Sequence, residues 1–350
     1  MNDFVAYWSA GRLLAHGQNP YDGDAVLQIQ RGFDIHRSSP LIMRNPPWAL
    51  PLAAPLGFLQ LPTAQLLCLF MAMAAVLVSV QILWRLYLGS SPPWLAGVIA
   101  GVFSPLPVAL SIGQMSPLLL LGVSGLLYFA NRRQYGRAGA SMFLLALKPH
   151  VVWLLWPVLL LYSVQQRRWR MLLIFSLLFS LACMLTLLID PSAFGEYLAM
   201  SRKFGLLEEL TPTTSGLLRS WTGAPLFQFV PITLAAVWFL YYWLRSGLTW
   251  EWRAGVPLLL LVSMCTTSYS WFFDQIVLLP CIFHGMAWVI RGSRKKIFFS
   301  SAAFLIINGA ALTLILMHRT SFWYAWTAPA WLFWYLTAVT KVFPRNQGLE

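Results

Sequence analysis

A few polar residues stand where apolar runs end, and their types define the chemistry open to this chain. Lys148-Pro149-His150 sets an ammonium between two short apolar segments. A lysine there is costly unless it snorkels to water or meets an anion, and the proline after it breaks the helix and fixes its direction. A phosphate is the anion that suits it. His150 can assist, or serve only as an interfacial residue. Arg44, in Arg44-Asn45-Pro46-Pro47-Trp48, offers paired guanidinium donors to phosphate oxygens, or anchors the chain at a boundary. Asp274 opens the apolar run from Ile276 to Phe283 with no cation nearby in sequence. A carboxylate at such a border is a functional group or a helix cap. Gln114, in the turn Gly113-Gln114-Met115-Ser116-Pro117, can bind a hydroxyl or satisfy exposed helix ends. Asp3 stands before apolar and small residues at 4, 5, 8, 10, 11 and 14, the spacing of a short amphipathic helix along a membrane surface. That is also a capping position. His284 lies deeper in an apolar run and reads as a packing residue.

The elements that must carry these groups are membrane helices. Apolar residues make up 59% of the 350, and 10% are charged. A soluble domain has roughly a quarter of its residues charged, so the missing polarity must face lipid. Eighteen tryptophans and twelve tyrosines suit the membrane–water boundary. Apolar runs fall at 64–88, 94–112, 115–130, 137–147, 149–164, 170–189, 229–245, 254–270, 274–290, 297–317 and 322–342. The chain reads as a single all-α domain, a polytopic bundle of about eleven membrane segments with two long outer loops, 1–60 and 190–228. The two runs flanking Lys148-Pro149 are short for a crossing of ~30 Å and read as a broken pair around a wet cavity. The four cysteines lie singly in apolar runs, without metal or disulfide spacing.

Charge gives the helices a direction. The gaps after alternate runs (Arg85; Arg132, Arg133 and Arg137; Arg167, Arg168 and Arg170; Arg245 and Arg253; Arg291, Arg294, Lys295 and Lys296; Lys341 and Arg345) hold 15 of the 24 basic residues. Short loops rich in Lys and Arg stay cytoplasmic, which puts the C-terminus inside and residues 1–60 outside a cell (inner) membrane. Nine of the eleven acids then fall outside: Asp3, Asp22, Asp24, Asp34, Asp190, Glu196, Glu208, Glu209 and Asp274. The net charge of +13 is spread over these gaps without interleaved stacking aromatics, which excludes nucleic acid as a partner. In the outer loop 190–228, Arg202, Lys203, Thr211 to Ser215, Arg219 and Trp221 supply cations, hydroxyls and an aromatic, a mixture that suits a sugar phosphate.

The ordered set of motifs resembles the polytopic glycosyltransferases of family 87, in the GT-C class. It comprises Asp3, Tyr7, Trp8 and Ala10; Gly17 to Tyr21; Pro46, Pro47, Pro55 and Leu56; Gly113-Gln114; Leu147-Lys148-Pro149 with the basic turn at 167–170; and Tyr269, Phe273, Asp274, Leu278, Leu279 and Pro280. The resemblance runs over about residues 3–290. It implies a polyprenyl-phosphate sugar donor, mannose in characterised relatives, and a lipid or glycan acceptor. Asp3 matches the family's outer-loop acid, the general base on the acceptor hydroxyl, in an inverting transfer without metal or other cofactor. By the same token Lys148 and Arg44 hold the donor phosphate, and Tyr7, Gln114, Tyr21, Asp274 and His150 contact substrate.

Two departures qualify that expectation. Some members carry a histidine near the late Ser-Trp element, where this chain has Ser270-Trp271 followed by Phe272 and Phe273. GT-C enzymes also have a transmembrane helix before the early acid, whereas Asp3 follows Met1 by two residues. That spacing predicts a start upstream of Met1 or an impaired product. Two other classes fit the composition, a lipid-linked glycan flippase or transporter and a polysaccharide polymerase or ligase. A transporter commonly shows inverted repeats and midplane charges, while the polar groups here gather at one border. Only the motif order separates the chain from the polymerases and ligases.

Overall fold

The computed structural model describes residues 3–33, 37–205 and 210–339. Asp34, Glu208, Glu209, Lys341 and Arg345, which entered the charge argument, lie outside the described residues. Within them the chain is helical and contains no strand. In hydrocarbon every backbone N–H and C=O must be paired, and a helix does this within one segment. Five helices are long and apolar enough to cross: Leu61–Leu88, Trp169–Ile189, Pro225–Ser246, Phe272–Ile290 and Arg294–Leu316. A sixth crossing is formed if Pro93–Val102 and Pro105–Ile112, bent by 71°, make one span. Ser116–Asn131, Leu155–Gln165 and Trp252–Thr266 are apolar but shorter. Five or six spans therefore meet the length criterion, where the apolar runs alone suggest about eleven. The difference arises because the other five runs form shorter helices, Ser116–Asn131, Tyr135–Leu145, Leu155–Gln165, Trp252–Thr266 and Thr327–Ala338.

Burial separates inner helices from outer ones. Phe272–Ile290 is enclosed over 78% of its apolar stretch, Trp169–Ile189 over only 11%. The latter leaves Leu173, Leu177, Leu181 and Leu188 exposed, as a lipid-facing helix must. Around the former, Trp252–Thr266, Thr327–Ala338 and Ser116–Asn131 supply the main core, with Leu259, Phe283, Trp331 and Leu120 fully buried.

Two interruptions shape the site. Between Pro93–Val102 and Pro105–Ile112 the chain turns at Phe103-Ser104, and the freed Ser104 N–H donates to Asn308 Oδ1 at 2.7 Å. Between Tyr135–Leu145 and Leu155–Gln165 the chain runs in turns through Lys148-Pro149-His150. There the carbonyls of Ala146 and Leu147 accept from Trp48 Nε1 at 2.8 Å and Asn45 Nδ2 at 3.1 Å. Distant side chains thus pair backbone that a continuous helix would have paired itself. The expected break at Lys148-Pro149 is present. The break at Ser104, inside the run 94–112, is an addition, and Pro105 and Pro107 are its cause.

A second, smaller core joins the two long segments. Phe4–Ala15 buries Phe4, Tyr7, Trp8, Ala10, Leu13 and Leu14 against residues 42–64 and Ala193–Lys203, with Met115 and Leu147 beneath. This helix is enclosed by protein on most of its circumference, rather than lying with one face on lipid. It packs on residues 53–58 through Gly11 and Gly57, where a Cβ on Gly11 would collide with the Ala53 carbonyl and one on Gly57 with the Gly11 backbone.

Candidate active site

The two cores enclose a cavity of about 580 Å3. Asp3, Tyr7, Arg44, Gln114, Lys148, His150 and Asp274 all reach it, although 271 residues of sequence separate Asp3 from Asp274. Tyr21 does not. It is buried one layer behind, with its hydroxyl toward the Asn45 carbonyl at 3.5 Å and its ring edge-on to Tyr197 at 5.4 Å.

Asp3 precedes Phe4–Ala15 but its side chain makes no capping bond. Its backbone N–H donates to the Ile112 carbonyl at 3.1 Å, tying it to the end of Pro105–Ile112. Gly113 then turns with φ +74°, a left-handed conformation that glycine adopts without Cβ strain, and delivers Gln114 to the cavity. Gln114 Nε2 donates to Asp3 Oδ2 at 2.5 Å. Gln114 Oε1 accepts from the Tyr7 hydroxyl at 2.8 Å and from Lys148 Nζ at 2.9 Å.

Lys148 is buried, and its ammonium donates to three acceptors. Besides Gln114 these are Asp274 Oδ1 at 2.7 Å and Ser116 Oγ at 3.2 Å. The Ser116 hydroxyl donates in turn to Asp274 Oδ1 at 2.7 Å, and Asp274 Oδ2 accepts the Trp271 N–H at 3.1 Å. An ammonium has three protons, so this one is fully engaged. Asp274 pairs with the cation and also accepts from backbone in the first turn of its helix, at the third helical position rather than at the cap itself. The Phe273 ring lies 5.1 Å from Nζ.

Around the rest of the cavity, Arg44 donates to the Tyr269 hydroxyl at 3.3 Å, and His150 packs edge-on to Tyr269 at 5.5 Å. Met43, Ile112, Met200, Phe204 and Phe273 form an apolar wall. Burial raises the Asp3 carboxyl above its ordinary value, opposed by the Gln114 hydrogen bond and the Lys148 charge. On the helix that brings Tyr197 and Met200 to the cavity, burial and then the Asp190 carboxylate push Glu196 up to about 7. No cluster of three or more metal-ligating acids, histidines or cysteines occurs among the described residues.

Ser116, Tyr269 and the apolar wall are parts that were not assigned roles from sequence. Ser116 had an available signal, two positions after Gln114 in the same turn, and Tyr269 and Phe273 stood in the late motif beside Asp274.

A buried acid, fixed cations and an apolar wall around one cavity fit transfer chemistry on an amphiphilic substrate. The glycosyltransferase family 87 model matches residues 44–268, more than half of the chain. The chain belongs to glycosyltransferase family 87. It is thereby a membrane glycosyltransferase, with a sugar donor and an acceptor as substrates. No curated protein and no solved structure shows significant similarity to it. The matched span of this family 87 chain contains Arg44, Gln114, Ser116, Lys148 and His150. Asp3, Tyr7 and Asp274 lie outside it and join the site through the fold.

Proposed function

We propose that the chain transfers a mannose-like hexose from a polyprenyl-phosphate donor to a lipid-linked or glycan acceptor at the outer face of a cell membrane, with Asp3 as general base. The observation that carries this reading is the Asp3 carboxylate, which leaves the helix end uncapped and lines a cavity with both polar and apolar residues. As the acceptor hydroxyl attacks the anomeric carbon, its proton passes to Asp3 and the carbon–oxygen bond to the phosphate breaks. A single in-line displacement inverts the anomeric centre. A raised carboxyl is the better base for this step, since its affinity for a proton lies nearer the working pH.

Arg44, at the cavity wall beside Tyr269, meets the departing phosphate. Lys148 adds its charge from behind and reaches phosphate by exchanging its longest bond, to Ser116. Tyr7, Gln114, Asp274 and His150 complete the polar wall, and the apolar wall suits an isoprenoid chain arriving from the bilayer.

The test is transfer of labelled mannose from a polyprenyl-phosphate donor by purified protein. Asp3→Asn is expected to lower the rate by roughly 10²–10⁴-fold. Equal rates in both proteins remove Asp3 from the mechanism. Lipid translocation without transfer in either points to a flippase.

A further inference from the structure

We infer that Gln114 is a positioning residue, clamped by Tyr7 and Lys148 so that its amide holds one oxygen of Asp3 and leaves the other for the reacting hydroxyl. This deepens the reading of Asp3 as the base and rests on it. The amide orientation is fixed by the neighbours. Lys148 has donors only, so the Gln114 atom 2.9 Å from Nζ must be oxygen. Tyr7 adds a second donor to the same oxygen at 2.8 Å. The NH₂ group is therefore forced toward Asp3, which it meets at 2.5 Å.

The clamp is anchored at its far end. Asp274 holds Lys148 through Oδ1, Ser116 bonds to both, and the Trp271 N–H occupies Asp274 Oδ2. Lys148 is the hub: it donates to Asp274 and Ser116 on one side and to Gln114 on the other, and Gln114 donates in turn to Asp3. Gln114 engages Oδ2, the Lys148 and Arg37 charges also act on this carboxylate, and Asp3 lines the cavity. Oδ2 is thus a fixed pivot, which leaves Oδ1 as the reactive atom. A carboxylate on a short side chain at the start of a helix would otherwise turn to cap that helix.

Titration of Asp3 tests this directly. Infrared difference spectra of the purified chain, with the Asp3 band assigned by its loss in Asp3→Asn, give the midpoint. Gln114→Leu removes the donor that favours the ionised form, and Gln114→Glu sets a second carboxyl against Oδ2, so that the pair shares a proton. Both are expected to raise the midpoint by about one pH unit or more. In transfer assays with polyprenyl-phosphate mannose, Gln114→Leu is expected to lower kcat about 100-fold with KM for the donor little changed. The acid limb of the Gln114→Glu rate profile is expected to follow the infrared midpoint. Should Gln114→Leu fail to fold, Gln114→Glu supplies the titration, and Tyr7→Phe, which removes one clamp donor, supplies a smaller loss of kcat.

Midpoints unmoved in the Gln114 variants, with Asp3→Asn inactive, overturn the positioning role alone. A raised KM with unchanged kcat in Gln114→Leu also overturns it and makes Gln114 a substrate ligand. Full activity in Asp3→Asn removes the base reading, and the infrared midpoints still decide whether Gln114 holds Asp3.

Discussion

Lys148 and Asp274 stand 126 positions apart, and each read separately as a charge at a membrane border. Their pairing was not legible, because no periodicity brings the turn after Leu145 beside the first turn of Phe272–Ile290. The residue types were legible, since an ammonium beside Pro149 and a carboxylate before an apolar run both demand a partner. With Nζ and Oδ1 2.7 Å apart and both side chains buried, removing one leaves an uncompensated charge. Asp274→Ala is expected to cost about 3–5 kcal/mol, read as a large drop in the thermal midpoint in detergent. The double variant Lys148→Met with Asp274→Leu is expected to regain most of that midpoint while losing transfer. The Asp3 carboxyl lies above its ordinary value; as the proposed base it would act ionised, so transfer is expected to fall as pH drops through that raised value. A rate profile against pH locates the limb.

At the scale of elements, the helix Ala193–Lys203 closes one side of the cavity with Met200 and Tyr197. Glu196 on that helix, pushed up to about 7 by burial and Asp190, binds its proton more tightly folded than unfolded. Its contribution is present below the ordinary glutamate value and is lost as pH rises through about 7. Amide protection factors over 193–203, with the intrinsic pH dependence of exchange divided out, are therefore expected to be lower at pH 8 than at pH 5, and Glu196→Gln is expected to remove most of that difference. Length and composition showed that residues 1–60 and 190–228 were long enough to fold over a site, but not that they pack on each other. The contact is made by single aromatic and aliphatic residues, Tyr21, Tyr197 and Met200, without a repeating pattern. The amphipathic spacing of 4–15 was correct in period and wrong in partner, because a stripe of apolar residues does not say whether lipid or protein covers it.

For the molecule as a whole, composition was enough to require a membrane, whereas of the eleven apolar runs five or six form helices long enough to cross among the described residues. Prolines at 105 and 149 divide runs that hydropathy joins or leaves ambiguous. The orientation proposed from basic loops can be checked in a variant lacking the four natural cysteines. Ser192→Cys is expected to react with an impermeant maleimide in intact cells, and Gln166→Cys only after permeabilisation; the reverse result inverts the chain. The two broken helices also set a schedule for synthesis. Asn45 and Trp48 emerge about a hundred residues before the carbonyls they pair, and Ser104 emerges 204 residues before Asn308. During translation the N–H of Ser104 must stay near water or in the insertion machinery until Arg294–Leu316 arrives. Completion of this enzyme's membrane core accordingly waits for residue 308, and chains released before it are expected to be marked for quality-control proteolysis despite having every proposed site residue in place.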